Sequence, residues 1–140
     1  GKDKIDETLK RQAGYVQFEY VKAELKDLFS MADVVISRAG ANSICELLAL
    51  KKPNLLIPLS ANSSRGDQIL NAKSFESQGF SMVIDDDLLT PELLAEKAIE
   101  LYFTRQTYIE AMGRSNQFGS IKTIMKLIES ETAAGQAKTK

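Results

Sequence analysis

Short apolar runs alternate with amphipathic helical patterns along this chain, and this order limits its fold more than any other feature. The four runs are bounded by turn residues: Tyr15–Tyr20, Asp33–Ser37, Asn54–Pro58 and Ser81–Ile84. The first run alternates with polar residues, whereas the others are compact and continuous, which is typical of strands buried on both faces of a parallel sheet. The sequence therefore predicts four strands.

The segments between and after these runs carry apolar residues at helical spacing. The apolar sets are Leu25, Leu28 and Phe29; Ile44, Leu47 and Leu48; Ile69, Ala72 and Phe75; and Leu93, Leu94, Ala98 and Leu101. Gly79 is predicted to end the third of these helices, and Thr90 followed by Pro91 to begin the fourth. Three further helical segments are predicted at Lys2–Ala13, Thr107–Met112 and Ser120–Ser130. This alternating order indicates an α/β domain with a parallel sheet and right-handed crossovers.

Composition excludes several classes of protein. The chain has 140 residues, a length typical of one domain, and its net charge of −1 gives no general attraction to nucleic acid. It contains no histidine, so the commonest general base and metal ligand are missing. The single cysteine, Cys45, rules out an internal disulfide, fits a cytoplasmic setting and is expected to be buried. We expect residues 1–131 to form one N-terminally truncated domain and the polar residues 132–140 to be a disordered tail.

The first segment that could form a binding site is Ser37–Glu46, SRAGANSICE. It runs from a strand end through a small-residue turn into a helix. Ligands of open parallel sheets lie at the carboxyl ends of strands, where a helix N-terminus favours phosphate. Gly40 and Ala41 would allow a phosphate to approach the backbone. Three side chains then share one helix face, those of Asn42, Ser43 and Glu46, and the carboxylate suits a ribose diol. Because Ser43 and Glu46 also match a capping box, the spacing leaves both interpretations open.

The second segment is the polar loop at residues 59–66 and the helix start that follows it. Asp67, Gln68 and Asn71 lie on the polar side of that helix, and amide side chains suit sugar hydroxyls because they both donate and accept. Alternatively, Asp67 is an N-terminal helix acid and the rest is solvated surface, which the pattern by itself favours. The acidic run at residues 85–87 is interpreted as a solvated turn before a helix rather than a metal site.

Read together, MADVVISRAGANSICELLALKKPNLLIPLS and RGDQILNAKSFESQGF resemble the C-terminal, donor-binding lobe of the MurG-type UDP-N-acetylglucosamine (UDP-GlcNAc) transferases. The resemblance runs from about Gly14 to Ile128 and rests on two motifs in the same order. It implies a Rossmann-like parallel sheet flanked by helices, part of one lobe of a GT-B glycosyltransferase. It also implies inverting transfer of GlcNAc to a lipid-diphosphate-linked acceptor, the lipid I to lipid II step of peptidoglycan synthesis, with no metal and no other cofactor.

The resemblance also assigns donor-binding residues, though no catalytic residue. Backbone groups expected near uracil belong to Val21 and Lys22. The residues expected at the diphosphate are Gly40, Ala41, Asn42 and Ser43, with Arg38 ordering the loop or contacting phosphate. The residues expected at the sugars are Glu46 at ribose, Asp67 and Gln68 at the GlcNAc hydroxyls, and Asn71 in support. Asp67 departs from the family, in which glutamine is common at that position.

The family's N-terminal lobe, which would supply the acceptor site and the candidate base, has no counterpart in these residues. We therefore expect a donor-binding fragment that is inactive alone. Its expected partners are UDP-GlcNAc, the missing N-terminal lobe and, through that lobe, the lipid-linked acceptor, but not nucleic acid. The parent protein is expected in the cytoplasm, peripheral on the inner face of the cell membrane. The alternatives are a stand-alone donor-binding subunit that needs a membrane-anchored partner, a non-catalytic nucleotide-binding module, or another sugar-nucleotide enzyme such as a 2-epimerase.

Overall fold

The computed structural model describes residues 4–61 and 66–115. The chain divides into two compact units, with the boundary between Ala32 and Asp33. In chain order, the helices and strands of the described residues are α1 (Leu25–Met31), β1 (Val35–Ser37), α2 (Ala41–Ala49), β2 (Asn54–Leu56), α3 (Asp67–Ser77), β3 (Met82–Val83) and α4 (Pro91–Arg114). Short 3₁₀ helices lie at Leu9–Arg11 and Asp86–Leu88.

The second unit contains a parallel sheet, which among the described residues has three strands in the order β1-β2-β3. Val35 pairs with Asn54, and Leu55 pairs with Met82. All of β2 is buried, as expected for a central strand of an α/β sheet, whereas Ile36 of β1 is 46% exposed. The predicted Rossmann-like α/β fold is therefore confirmed, and three of the four predicted strands are present at about their predicted positions.

Leucine and isoleucine side chains from the sheet and from α4 form the core of the second unit. Its central cluster is Leu55, Ile57, Ile84 and Leu101, and side chains packed against it include Val34, Met82, Leu93, Leu94 and Tyr108. The buried residues of α2 are Ile44, Leu47 and Leu48, which are the apolar set predicted from helical spacing. Cys45 lies on the outer face of the same helix and is exposed, so the expectation that it is buried was wrong.

A buried polar network joins β2 to the segment that leads into β3. Asn54, which is 1% exposed, donates from Nδ2 to the carbonyl oxygens of Lys52 at 2.9 Å and Phe80 at 3.3 Å. Its Oδ1 accepts a hydrogen bond from the hydroxyl of Ser81 at 2.6 Å. Burying polar atoms is costly unless they are hydrogen-bonded. Within the described part of the chain, no buried side-chain nitrogen or oxygen lacks a partner.

Helix α3 ends at the predicted glycine. Gly79 has a φ of 73°, and its N–H donates to the carbonyl of Glu76, while the N–H of Phe80 donates to the carbonyl of Phe75. These two bonds form a Schellman motif, and the rings of Phe75 and Phe80 make the accompanying apolar contact at 5.7 Å between centroids. A left-handed backbone favours glycine at this position.

Helix α2 ends with the same motif but without a glycine. The N–H of Lys51 donates to the carbonyl of Leu48, and that of Lys52 donates to the carbonyl of Leu47. Lys51 has a φ of 50°, the one positive φ of a non-glycine residue in the described ranges. Its Cβ therefore adds steric strain that the glycine at the end of α3 does not have.

Helix α4 begins as predicted and continues further than predicted. The hydroxyl of Thr90 accepts from the N–H of Leu93 at 3.1 Å, and Pro91 occupies the first helical position. The segment at Thr107–Met112 is part of α4 rather than a separate helix, because no proline or glycine interrupts the chain before it. The helix predicted at Ser120–Ser130 and the tail at residues 132–140 lie outside the described residues.

The first unit differs most from the sequence predictions. The predicted strand Tyr15–Tyr20 is not a strand: the side chain of Gln17 bonds instead with the backbone of Asp6, and Val16 is 72% exposed. In place of a helix over Lys2–Ala13, the described residues 4–13 contain the 3₁₀ helix Leu9–Arg11 and the turn before it, in which Asp6 accepts the N–H of Thr8 at 2.8 Å. The side chain of Asp6 accepts the backbone N–H groups of Thr8 and Leu9, and this local turn competes with a continuous helix.

Candidate functional site

The loops that follow β1, β2 and β3 leave the sheet at the same edge because the three strands are parallel. This edge, at the carboxyl ends of the strands, is where open α/β sheets hold ligands. The second unit places the predicted residues from Arg38 to Glu46 after β1, and those from Asp67 to Asn71 after β2. Residues 62–65, between β2 and α3, lie outside the described residues.

The N-terminus of α2 presents free backbone donors. Gly40 is the N-cap with extended backbone, and the first helical bond runs from the N–H of Ile44 to the carbonyl of Gly40 at 3.0 Å. The amide groups of Ala41, Asn42 and Ser43 therefore have no acceptor inside the helix. A Cβ built on Gly40 would lie 4.0 Å from the Ser43 hydroxyl, and no other atom of the described residues beyond the two chain neighbours is nearer. The turn is thus open, and the helix dipole adds positive potential to it.

The helix boundary tests the capping-box interpretation of the Ser43 and Glu46 pair. Ser43 is the third residue of α2 rather than its N-cap, and Gly40 makes no side-chain cap. The capping-box interpretation is therefore wrong. Glu46 is exposed one turn further along, at the i+4 position from the exposed Asn42, so both side chains share a face near the open helix end.

Two amide side chains of α3 bind the main chain of neighbouring loops. Asn71 donates from Nδ2 to the carbonyl of Ala39 at 3.0 Å, and Ala39 is fully buried. Gln68 accepts at Oε1 from the N–H of Leu59 at 3.1 Å. Helix α3 is thereby connected both to the turn before α2 and to the loop after β2. Asp67, the first residue of α3, is exposed and follows Gly66, which has a φ of 84°.

Arg38 connects the ends of all three strands. It follows β1 directly, and its Nη1 donates to the carbonyl of Ile57, just after β2, at 3.1 Å. The same nitrogen contacts Oδ1 of Asp86, just after β3, at 2.6 Å. The side chain of Arg38 is 49% exposed and that of Asp86 only 23%. Sequence reasoning missed Asp86, because the pairing spans 48 residues and no spacing rule connects them.

The acidic run is an ordered turn. Asp85 accepts the N–H of Asp87 and caps the 3₁₀ helix Asp86–Leu88. Within the described ranges, no group of three or more histidine, cysteine or acidic residues is arranged to hold a metal ion. A cleft of about 500 Å³ is lined by Pro58, Ser60, Ala61, Ile69, Ala72, Lys73, Glu76, Val83, Asp85 and Asp87. None of these lining residues is a predicted site residue.

Val21 and Lys22 belong to the first unit and are described on their own. Val21 is half-buried, and the N–H of Lys22 donates to Glu24 at 3.4 Å. The other predicted site residues all belong to the second unit. No helix in the described part of either unit is long and apolar enough to cross a membrane.

Comparison with known proteins identifies the family. The family model described as "Glycosyltransferase family 28 C-terminal domain" matches residues 1–128. A relative from Lachnoclostridium phytofermentans is 57% identical over 129 residues, and one from Lachnospira eligens is 56% identical over 129 residues. Both are named UDP-N-acetylglucosamine–N-acetylmuramyl-(pentapeptide) pyrophosphoryl-undecaprenol N-acetylglucosamine transferase.

These alignments cover 92% of this chain and 36% of each relative, so the chain spans about a third of the length of the proteins that it matches. The resemblance to the C-terminal lobe of MurG-type UDP-GlcNAc transferases, inferred from the two motifs, is confirmed. The family description matches nearly the whole chain, and the chain therefore belongs to the glycosyltransferase family 28 C-terminal domain family.

Proposed function

We propose that the loops after β1 and β2 bind the donor UDP-GlcNAc as part of an inverting N-acetylglucosaminyltransferase. The acceptor would be a lipid-diphosphate-linked sugar, as in the lipid I to lipid II step of peptidoglycan synthesis, which serves cell wall biogenesis and cell division. The names of the relatives contain both a UDP-GlcNAc donor and an undecaprenol-linked acceptor, which supports the proposal. The observation that carries it is the open N-terminus of α2 with Glu46 on its exposed face.

The diphosphate would bind at the N-terminus of α2. The amide groups of Ala41, Asn42 and Ser43 point out of the helix there, and the helix dipole favours a negative charge. When the bond from the anomeric carbon to UDP breaks, negative charge accumulates on the leaving diphosphate. Donors fixed in position before the reaction stabilise that charge without reorganising, and one such donor can contribute roughly 10²–10³ in rate.

The ribose would bind Glu46. Its carboxylate is exposed at the start of α2 and can accept hydrogen bonds from both hydroxyls of a ribose. The uracil contact is expected at backbone groups near Val21 and Lys22, and this part of the proposal rests on the family resemblance alone. Glu46 would thereby orient UDP so that its diphosphate lies at the open end of α2.

The GlcNAc hydroxyls would bind the beginning of α3. Asp67 is exposed and offers two acceptor oxygens. Gln68 already accepts from Leu59 through Oε1, so its Nε2 donor is the group that would reach the sugar. Asn71 donates to the carbonyl of Ala39 and would hold the turn before α2 in place rather than recognise the sugar directly.

The remaining components would come from outside this chain. An N-terminal lobe would supply the acceptor site and the general base, consistent with a chain that contains no histidine and spans 36% of its relatives. The fragment would therefore bind donor but transfer nothing on its own. The parent protein would lie in the cytoplasm, peripheral on the inner face of the membrane. The proposal assigns the positive potential at the diphosphate to the helix amide groups rather than to a metal ion.

Replacing Glu46 with alanine tests the donor site. A chimera in which this chain replaces the matching segment of the Lachnoclostridium phytofermentans relative would allow transfer to be measured. Hydrogen bonds to a charged group contribute about 1.5–3 kcal/mol, so Glu46→Ala should raise the KM for UDP-GlcNAc roughly 10- to 150-fold. Because Glu46 is not a capping residue, stability should change by less than about 0.5 kcal/mol. The matched control is Glu96→Ala, which removes an exposed helix carboxylate from α4.

The same variants should be titrated with UDP by NMR in the 140-residue chain. Under the proposal, amide shifts concentrate at residues 40–46 and weaken in Glu46→Ala but not in Glu96→Ala. A folded chimera without transferase activity, or an unchanged KM in Glu46→Ala, contradicts the proposal. Shifts at residues 40–46 combined with an inactive chimera would favour a non-catalytic nucleotide-binding module instead.

A further inference from the structure

Asp86 is marked by no motif, yet it lies against Arg38, the residue directly after β1. Its Oδ1 is 2.6 Å from Nη1 of Arg38, and that nitrogen also donates to the carbonyl of Ile57. We propose that Asp86 is a positioning residue for the donor diphosphate and acts by fixing Arg38 across the ends of the three strands. This inference rests on the proposed function of the site.

The turn before α2, which begins at Arg38, is anchored by two sets of contacts. On one side, Arg38 is anchored to the residue after β2 and to Asp86 after β3. On the other side, Asn71 of α3 donates to the carbonyl of Ala39. These contacts fix two consecutive residues immediately before Gly40, the N-cap of α2. The direction of the free helix amides therefore depends on both anchors.

Asp86 is suited to hold a partner because its own backbone is ordered. Asp85 caps the 3₁₀ helix, and the N–H of Leu88 donates to the carbonyl of Asp85 at 3.0 Å. The side chain of Asp86 is only 23% exposed, so the pair is less screened by water than a fully exposed pair. The three acids therefore have different surroundings: Asp85 caps the turn, Asp86 binds Arg38, and Asp87 is exposed.

The anchored geometry leaves part of the guanidinium available. Nη1 makes both contacts, and within residues 4–61 and 66–115 Nε and Nη2 have no hydrogen-bond acceptor. The side chain is half exposed, so these donors can meet a phosphate oxygen. An arginine free to rotate would lose conformational entropy on binding phosphate, whereas one held by Asp86 has already lost most of it.

Whether UDP binding weakens or strengthens when Asp86 is removed distinguishes positioning of Arg38 from simple charge repulsion. If Asp86 acted only as a negative charge near the diphosphate, its removal would strengthen UDP binding. If it positions Arg38, its removal weakens binding although an unfavourable charge has been taken away. The adjacent Asp87 offers a matched control, since Asp87→Ala removes the same charge from the same turn without touching Arg38.

The experiment measures UDP dissociation constants and KM for UDP-GlcNAc in the chimera described above. Asp86→Ala should weaken UDP binding about tenfold, because Arg38 would then lose its side-chain conformational entropy on binding phosphate. Asp86→Asn, which keeps an oxygen acceptor for Arg38, should recover a large part of the affinity. Asp87→Ala should leave binding within about threefold of the unsubstituted protein, since an exposed charge is largely screened. The double variant Arg38→Ala with Asp86→Ala should bind no more weakly than Arg38→Ala alone.

Tighter or unchanged UDP binding in folded Asp86→Ala overturns the inference, and so do additive losses in the double variant. A lower melting temperature with unchanged affinity would show that Asp86 is merely structural and would overturn it as well. If the unsubstituted chimera binds UDP and Glu46→Ala weakens that binding while Asp86→Ala does not, only this inference fails. If the unsubstituted chimera does not bind UDP, the proposed function fails first.

Discussion

The buried network around Asn54 allows a quantitative test of how β2 is joined to β3. Asn54→Ala removes hydrogen bonds to Lys52, Phe80 and Ser81. At a net contribution of about 1 kcal/mol each, this loss is about 3 kcal/mol. The small cavity left in the core adds roughly another 1 kcal/mol. We therefore expect Asn54→Ala to lower the free energy of unfolding by about 3–4 kcal/mol.

A variant at Ser81, the partner of Asn54, measures the interaction energy between the two side chains. Ser81→Ala removes one bond and leaves Oδ1 of Asn54 buried without its donor, so we expect a loss of about 1–2 kcal/mol. In the double variant neither partner is left unsatisfied at this contact. Its loss should therefore fall short of the sum of the single losses by about 1 kcal/mol or more.

Urea unfolding of the 140-residue chain, followed by far-UV circular dichroism, provides these free energies. Ser77→Ala is a matched control, because its hydroxyl donates to the carbonyl of Ser74 in an exposed bond. Its loss should stay within about 0.5 kcal/mol. Additive losses in the double variant, or a cost of Asn54→Ala below about 1 kcal/mol, would refute the reasoning from buried hydrogen bonds.

Two further predictions concern the helix ends. Lys51→Gly should raise the free energy of unfolding by about 0.5–1 kcal/mol, because it removes a Cβ from a residue with a left-handed backbone. Gly79→Ala should lower it by a similar amount. Urea unfolding measures both changes, and changes of the same sign would contradict the argument. Thr90→Ala should lower the free energy of unfolding by about 1 kcal/mol, because the N–H of Leu93 loses its acceptor, whereas Thr90→Ser should lower it much less. Equal losses in the two variants would contradict the capping role.

Features that depend on neighbouring residues in the sequence could be predicted without the structure. The glycine that ends α3 and the threonine and proline that begin α4 act within a few residues of their own positions. The apolar spacing of α2 also identified its buried face. These local rules were sufficient to predict the order of helices and strands in the second unit, and with it the α/β class.

Features that depend on distant partners could not be predicted in this way. The alternation at Tyr15–Tyr20 suits a strand, but a strand also needs a neighbour, and Gln17 binds Asp6 instead. The pairing of Arg38 with Asp86 depends on the sheet that brings their segments together. The capping-box interpretation failed for a subtler reason, since the sequence does not reveal that the helix already begins at Ala41. Of the candidate site, the sequence predicted the segments but not the contacts between them.

The strand order of the sheet has a consequence for how this unit folds. Among the described residues, β2 pairs with β1 and β3 pairs with β2, so each pairing joins strands that are consecutive in the chain. Loop closures between consecutive strands carry a smaller entropic cost than closures across the whole chain, which favours faster folding. During synthesis, the turn before α2 is made first, and Asn71 and Asp86, which anchor it, follow in turn. The chain can therefore complete its candidate site stepwise as it leaves the ribosome.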